Sequence, residues 1–298
     1  MRRLPPLTAI EAFVQVARLG SVKAAAEELA LSSPALSRRV QALERFVGRP
    51  LFDRGHQSIR LNADGDRFLD AIAPQIDALS GRYRCISWDE RGHGRTADPQ
   101  QCAPFSYYDS ADDLAALLDH LGVDQAVLIG MSQGGFLSLR CALIHPGVVR
   151  ALVLIDTQAG LEDEEATRQL GALFKAWIEN GLSDDMATMA EQVVIGNGWP
   201  SAAAWREQWR QITPVNLAHS VAALAMRDDI TPRLASINVP VLVIHGADDI
   251  AIPPRKAREM AEAMPQARYV EIEGAGHAAN LMQPAQVNAA MERFLAGL

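Results

Sequence analysis

Ser132, His277 and one of the pair Asp248 and Asp249 are the residues of this chain whose types and order could build a nucleophile. A serine hydroxyl is weak at neutral pH and needs a base to take its proton. An imidazole is such a base when a carboxylate fixes its tautomer. Ser132 stands in Gly130-Met131-Ser132-Gln133-Gly134-Gly135, straight after the apolar stretch Ala126-Val127-Leu128-Ile129. Gly-x-Ser-x-Gly after a strand reads as a turn into a helix so sharp that only glycine fits beside the serine. Asp248 and Asp249 follow the apolar run Val241 to Gly246, and His277 follows Val270-Glu271-Ile272 within Gly274-Ala275-Gly276-His277. Taken singly, each has a bland reading: a chance motif, an ordinary loop aspartate, a structural histidine. Together, in the order serine, aspartate, histidine and each at the end of an apolar run, they predict acyl transfer, with Ser132 as nucleophile, His277 as base and Asp249 as the orienting carboxylate. The backbone N–H of Gln133 would be one of two donors to the oxyanion.

The elements around these residues alternate. Strands are predicted over 83–88, 125–131, 149–155, 239–245 and 268–272, and helices over 109–121, 134–145, 254–263 and 284–296. This alternation implies a parallel sheet covered on both faces, whose carboxyl edge gathers residues far apart in sequence. A helical stretch from about 160 to 230 interrupts the pattern and carries Trp177, Trp199, Trp205 and Trp209, which read as core of that stretch before they read as a substrate platform.

The first sixty residues have another character. They hold ten Lys and Arg against five Asp and Glu, which leaves 18 against 31 for the rest of this 298-residue chain. A basic module on an acidic body suggests a polyanion partner for the first part alone. Cys85, Cys102 and Cys141 offer neither a metal spacing nor a disulfide framework, so no metal and no cofactor are expected, and a cytoplasmic location is. Met1-Arg2-Arg3-Leu4-Pro5-Pro6 lacks an apolar region for a leader, and no apolar run is long enough to span a membrane.

Within this basic module Leu7, Ile10, Phe13, Val14 and Ala17 recur at helical spacing. Gly20 ends that helix, Ser21 caps a second over Val22 to Leu29, and Ser32 caps a third with Pro34 in its first turn. The third helix shows Ser32, Ser33, Ala35, Ser37, Arg38 and Gln41 on one side and Leu36, Val40, Leu43 and Phe46 on the other. Small side chains followed by Arg38 and Arg39 would let such a helix enter a major groove. Residues 50–54 and 59–61 read as a two-stranded wing. Periodicity alone leaves a plain helical bundle equally open.

Residues 7–65 resemble the winged helix-turn-helix of LysR-type transcriptional regulators. The match runs through Gly20-Ser21, Ala24-Ala25-Ala26-Glu27-Glu28-Leu29, Ser33-Pro34-Ala35-Leu36-Ser37-Arg38, Gly48-Arg49-Pro50-Leu51-Phe52-Asp53-Arg54 and Leu61-Asn62-Ala63-Asp64-Gly65. Asn62 stands where the family has Thr, and both cap helices. The resemblance implies that Ser32, Ser33, Pro34, Ala35, Ser37, Arg38 and Arg39 lie in or near the major groove of double-stranded DNA, with Arg54 and the wing near the minor groove. From about residue 72 the chain resembles the α/β-hydrolase fold family, through Asp89-x-Arg91-Gly92-x-Gly94, the Ser132 elbow, Gly246-x-x-Asp249-x-x-x-Pro253 and Gly274-x-Gly276-His277. Asp249 aligns with the family acid, and 160–230 with its cap.

By that second resemblance the family's first three strands are missing, because only seventeen residues separate Gly65 from Tyr83. With the third strand goes the His-Gly loop that supplies the second oxyanion donor. That strand would lie between 83–88 and 125–131. Either those two re-pair directly, or buried backbone groups go unsatisfied.

The expected organisation is thus a winged helix-turn-helix over 1–65, a linker helix over 66–80 and a truncated, mostly parallel α/β-hydrolase domain over 81–298. The leading function is a DNA-binding regulator of LysR type carrying a hydrolase-derived module, paired as a homodimer through helix 66–79. The alternative is a serine hydrolase for an ester or lactone with an accessory DNA-binding domain. A recombined chain with neither function is the third reading.

Overall fold

The computed structural model describes residues 9, 12, 13, 15, 16, 19, 21–47, 51–54, 59–61, 73–96, 103–162, 164–196 and 202–298. They fall into two compact units, 1–73 and 74–298.

In the first unit Ala9, Ala12, Phe13 and Val16 are helical and buried. Helix α1 (Val22–Glu28) starts at Ser21, whose Oγ accepts the Ala24 N–H at 3.3 Å. Helix α2 (Ser33–Val47) starts after Ser32, whose Oγ accepts the Ala35 N–H at 3.3 Å. These side chains satisfy N–H groups that a helix start leaves without partners. Leu36, Val40 and Leu43 bury one face of α2 against Phe13, Ala25, Ala26 and Phe52, and the Phe13 and Phe52 rings meet at 5.1 Å. Strands β1 (Phe52–Arg54) and β2 (Ile59–Leu61) pair antiparallel as the wing. A Glu44 carboxylate oxygen accepts the Leu51 N–H at 3.0 Å and ties the wing's entry to α2.

The second unit opens with α3 (Ala73–Leu79). Four parallel strands follow in the order β3 (Ala126–Met131), β4 (Val149–Ile155), β5 (Val241–Gly246), β6 (Ala267–Ile272). Helices α4 (Tyr107–His120), α5 (Gln133–Ile144) and α10 (Pro254–Glu262) cover one face. The short α11 (Ala279–Met282), α12 (Pro284–Leu295) and Leu79 of α3 cover the other. Every residue of β5 is buried, and all of β4 except Arg150, as a strand covered on both faces requires. Ser106 and Asp109 close a capping box at the start of α4.

The segment 83–88 is not a strand, contrary to the sequence expectation. Its side chains still pack, Tyr83 and Cys85 against one core and Trp88 against the other. A strand needs a partner's ladder, and among the described residues no strand pairs with this segment or bridges it to β3. None of residues 83–88 is fully buried, so their backbone groups can be hydrated rather than left unsatisfied. Among the described residues β3 pairs only with β4, which places the serine-bearing strand at the sheet's edge with Ile129 44% exposed.

Four helices form the stretch between β4 and β5: α6 (Glu164–Asn180), α7 (Asp184–Val194), α8 (Ala202–Gln211) and α9 (Pro214–Ala225). Trp177, Trp205 and Trp209 are half-buried, and Trp199 lies outside the described residues. At the two ends of this stretch Arg227 Nη2 donates to both carboxylate oxygens of Glu162 at 2.6 and 2.7 Å, with the guanidinium 4.6 Å from the Phe136 ring centre. Helix α3 belongs to the hydrolase unit: Gln75 donates to the Asn280 carbonyl at 2.9 Å, and Asn288 donates to the Pro74 carbonyl at 2.8 Å. Residues 66–72 of the expected linker helix lie outside the described residues. No helix among the described residues is long and apolar enough to cross a membrane.

Candidate active site

Ser132 sits between β3 and α5 at φ 50°, ψ −111°, a conformation that a non-glycine residue adopts only under constraint. The constraint is visible. The Ser132 N–H donates to the Ile155 carbonyl at 2.8 Å, and the Ser132 carbonyl accepts from Thr157 Oγ1 at 2.8 Å. A Cβ on Gly130 would stand 2.2 Å from the Gly134 carbonyl oxygen, and one on Gly135 would stand 2.4 Å from Thr157 Cγ2. Both glycines are therefore required by close approach.

His277 follows β6 and reaches back to the elbow, its Nε2 3.0 Å from Ser132 Oγ. Its Nδ1 lies 2.9 Å from Asp249 Oδ2. The carboxylate can only accept, so Nδ1 carries the proton and Nε2 is free to accept from the serine hydroxyl. Asp248 is exposed, whereas Asp249 is 4% exposed, so the geometry selects Asp249 from the adjacent pair.

Asp249 is held from several sides. Its Oδ1 accepts the N–H groups of Ala251 and Ile252 at 2.8 and 2.9 Å. Its Oδ2 lies 3.1 Å from His245 Nε2 as well as 2.9 Å from His277. Burial works against the charged carboxyl, but His245, His277 and the backbone donors outweigh it and hold Asp249 well below the usual carboxylate range.

Asp156, Thr157 and His245 complete the setting, and the sequence reading passed over all three. Asp156 closes β4 at φ 48° and is fully buried. Its Oδ1 accepts the Gly246 N–H and its Oδ2 the Ala279 N–H, both at 2.8 Å. Burial pushes its carboxyl up to about 6, against these two hydrogen bonds. The signal was available in principle, since Asp156 ends an apolar run just as the other candidates do. Donor atoms of Asp156, His245 and Asp249 lie within 4.8 Å of one another, the span of a metal site. All four carboxylate oxygens already accept N–H groups.

The cap reaches the same edge. Ile195, Ala202 and Trp205 pack with Ala278, which follows His277, with Leu281 and with Met131, which precedes Ser132. An apolar roof thus stands over residues flanking Ser132 and His277. Gln133 is the first residue of α5, where an N–H has no intrahelical acceptor. Among the described residues of the second unit no strand precedes β3, so no strand-end loop there stands where the second oxyanion donor is expected.

The residues expected to meet DNA gather at the start of α2. Ser32, Pro34 and Arg38 are exposed, and Ser33, Ala35, Ser37 and Arg39 are half-buried. Arg54 lies in β1, its side chain outside the described residues.

Residues 62–284 match the family described as alpha/beta hydrolase fold. The chain belongs to that family. Residues 7–66 match the bacterial regulatory helix-turn-helix proteins of the lysR family, so the chain joins a LysR-type helix-turn-helix to an α/β-hydrolase domain. The chain is similar to RutD of Caulobacter sp. (strain K31), by name a carbamate hydrolase, 31% identical over 272 residues that cover 84% of this chain and 94% of the relative. Among solved structures it resembles a thermophilic esterase from Thermogutta terrifontis, with a TM-score of 0.68 and 28% identity over 77% of this chain and 86% of the other. It also resembles the enol-lactonase from Burkholderia xenovorans LB400, with a TM-score of 0.68 and 26% identity over 76% and 86% of the two chains.

Proposed function

We propose that this protein is a LysR-type DNA-binding protein whose C-terminal module is a serine hydrolase for ester or lactone substrates. The observation that carries the hydrolase half is the line Ser132 Oγ, His277, Asp249, joined at 3.0 and 2.9 Å although, among the described residues, the parallel sheet has four strands and begins at β3. In this reading Ser132 attacks the substrate carbonyl while His277 Nε2 takes its proton. The oxyanion of the tetrahedral intermediate accepts from the Gln133 N–H. His277 then gives its proton to the leaving alkoxide, and Ser132 is left as an acyl ester. Water attacks that ester, with His277 again as base, and frees the acid and the serine. The chemistry of a thermophilic esterase and an enol-lactonase among the similar structures supports an acyl–oxygen substrate. With one oxyanion donor in place of two, turnover would be lower by about 10²–10³ than with a full pair.

Support for the DNA half comes from the match to the lysR family and from the small, polar and then basic start of α2. The binding module would lay that start in the major groove, with Arg38 and Arg39 reaching base edges or phosphates. Two copies would be needed on a palindromic site.

Both halves are tested on the full chain. A p-nitrophenyl ester should give a burst that Ser132→Ala abolishes, and no burst from folded protein would contradict the hydrolase. Promoter DNA should shift in a gel, and Arg38→Ala with Arg39→Ala should remove the shift. No shift at low salt would contradict the DNA-binding half.

A further inference from the structure

His245 is fully buried on β5 and takes no direct part in the sequence Ser132, His277, Asp249. Its Nε2 faces two acceptors, the Ile252 carbonyl at 2.8 Å and Asp249 Oδ2 at 3.1 Å. Neither can donate, so Nε2 carries a proton in every charge state of the ring. Its Nδ1 has no hydrogen-bond partner, yet lies 4.0 Å from Asp156 Oδ1. A lone pair on Nδ1 would there face a carboxylate across an apolar interior, whereas a proton on it would face the charge that favours it.

The charge count points the same way. Asp156 and Asp249 are both enclosed, at 0% and 4% exposure. Two bare carboxylates in such a site are costly, and one extra proton shared by Asp156 and His245 brings the cluster to a single negative charge. When His277 takes the serine proton, the total falls to zero. The other charged neighbour is Glu271 beside His245 on β6, which is already engaged by Arg258 and Tyr269.

We propose that His245 is a positioning residue of the catalytic site: it holds Asp249 in line with His277, and with Asp156 it keeps a proton behind the triad. The ring is an imidazolium at neutral pH, fixed between the carboxylates of β4 and of the loop after β5. Although burial opposes its charge, the hydrogen bonds to Asp249 and Ile252 and the nearby Asp156 raise its affinity for a proton. The role in catalysis rests on the hydrolase reading, but the charge state of His245 does not.

The test therefore uses two readouts. In the full chain labelled with ¹⁵N-histidine, the His245 ring, assigned through His245→Gln, should show both nitrogens protonated at pH 7. In Asp156→Asn the same ring should show a neutral Nδ1. A ring that is already neutral at pH 7 in the parent protein would overturn the proposal, whether or not the protein turns over an ester. The second readout is rescue. His245→Leu should lower kcat at least about tenfold, a change of about 1.4 kcal/mol, with KM little changed. His245→Gln, whose amide can still donate to Asp249, should recover most of that loss. Equal activity in the Leu and Gln variants, both folded by circular dichroism, would overturn the positioning role. A failed hydrolase reading looks different: the parent chain itself would show no burst, while the imidazolium signal remained.

Discussion

Thr157 holds Ser132 in place by its main chain: Thr157 Oγ1 donates to the Ser132 carbonyl at 2.8 Å, across from β4 to the elbow on β3. The serine's positive φ is thus paid for by a neighbour that the next strand delivers. Thr157→Val keeps the shape and removes the donor. We expect a loss of about 1 kcal/mol in stability, read from the urea midpoint, and a fall in ester turnover larger than the change in KM.

The two elbow glycines make a sharper prediction. Gly130→Ala would drive a methyl into the Gly134 carbonyl, and Gly135→Ala would drive one into Thr157. The first clash is with backbone at 2.2 Å, and the second includes Thr157 Cβ at 2.6 Å, so neither is relieved by a rotamer and the shorter backbone clash of Gly130→Ala should cost more. Thermal melts of the two variants check the order.

Buried Asp156 gives stability a definite slope with pH. Its folded carboxyl titrates at about 6, above the ordinary unfolded value, so the folded state binds more protons between about pH 4 and 6. Stability from this group therefore falls as pH rises through that window. His245, also raised, acts with the same sign at higher pH, contributing stability below its unfolded value and losing it as pH rises through its folded one. Asp249, held low, acts oppositely and only below about pH 4, where its protonation removes stability. Urea unfolding across pH 4 to 7 should show that Asp156→Asn flattens the slope; a slope unchanged by the substitution would contradict this account.

The pair Glu162 and Arg227 fastens the two ends of the cap to Phe136 of α5. The Arg227 side chain is 3% exposed, so removing its partner leaves a buried charge. Glu162→Leu should cost about 3–5 kcal/mol, and limited proteolysis should cut within 163–226 sooner than in the parent chain. The double variant Glu162→Leu with Arg227→Met should be more stable than the single one.

The sequence was informative where chemistry and spacing coincide. Ser132, Asp249 and His277 each follow an apolar run, and the caps Ser21 and Ser32 mark the two helices of the N-terminal motif at their observed starts. The segment 83–88 misled because apolar character shows that a strand could form, not whether a partner is present to pair with it. His245 was hidden for a different reason. A histidine inside a buried strand reads as core, and only the fold brings it beside Asp249, four positions on, and Asp156, far upstream. The short spacing after Gly65 accords with the finding that, among the described residues, the parallel sheet begins at β3. That Ser132, His277 and Asp249 still meet at hydrogen-bonding distance does not follow from that spacing.

In the proposed function the sheet that begins at β3 still presents a working Ser132. Reaction of the full chain with a fluorophosphonate, read by intact mass, tests it most directly. The account predicts one adduct per chain on Ser132, absent in Ser132→Ala and slowed in His277→Ala. A folded parent chain that gains no adduct would contradict it.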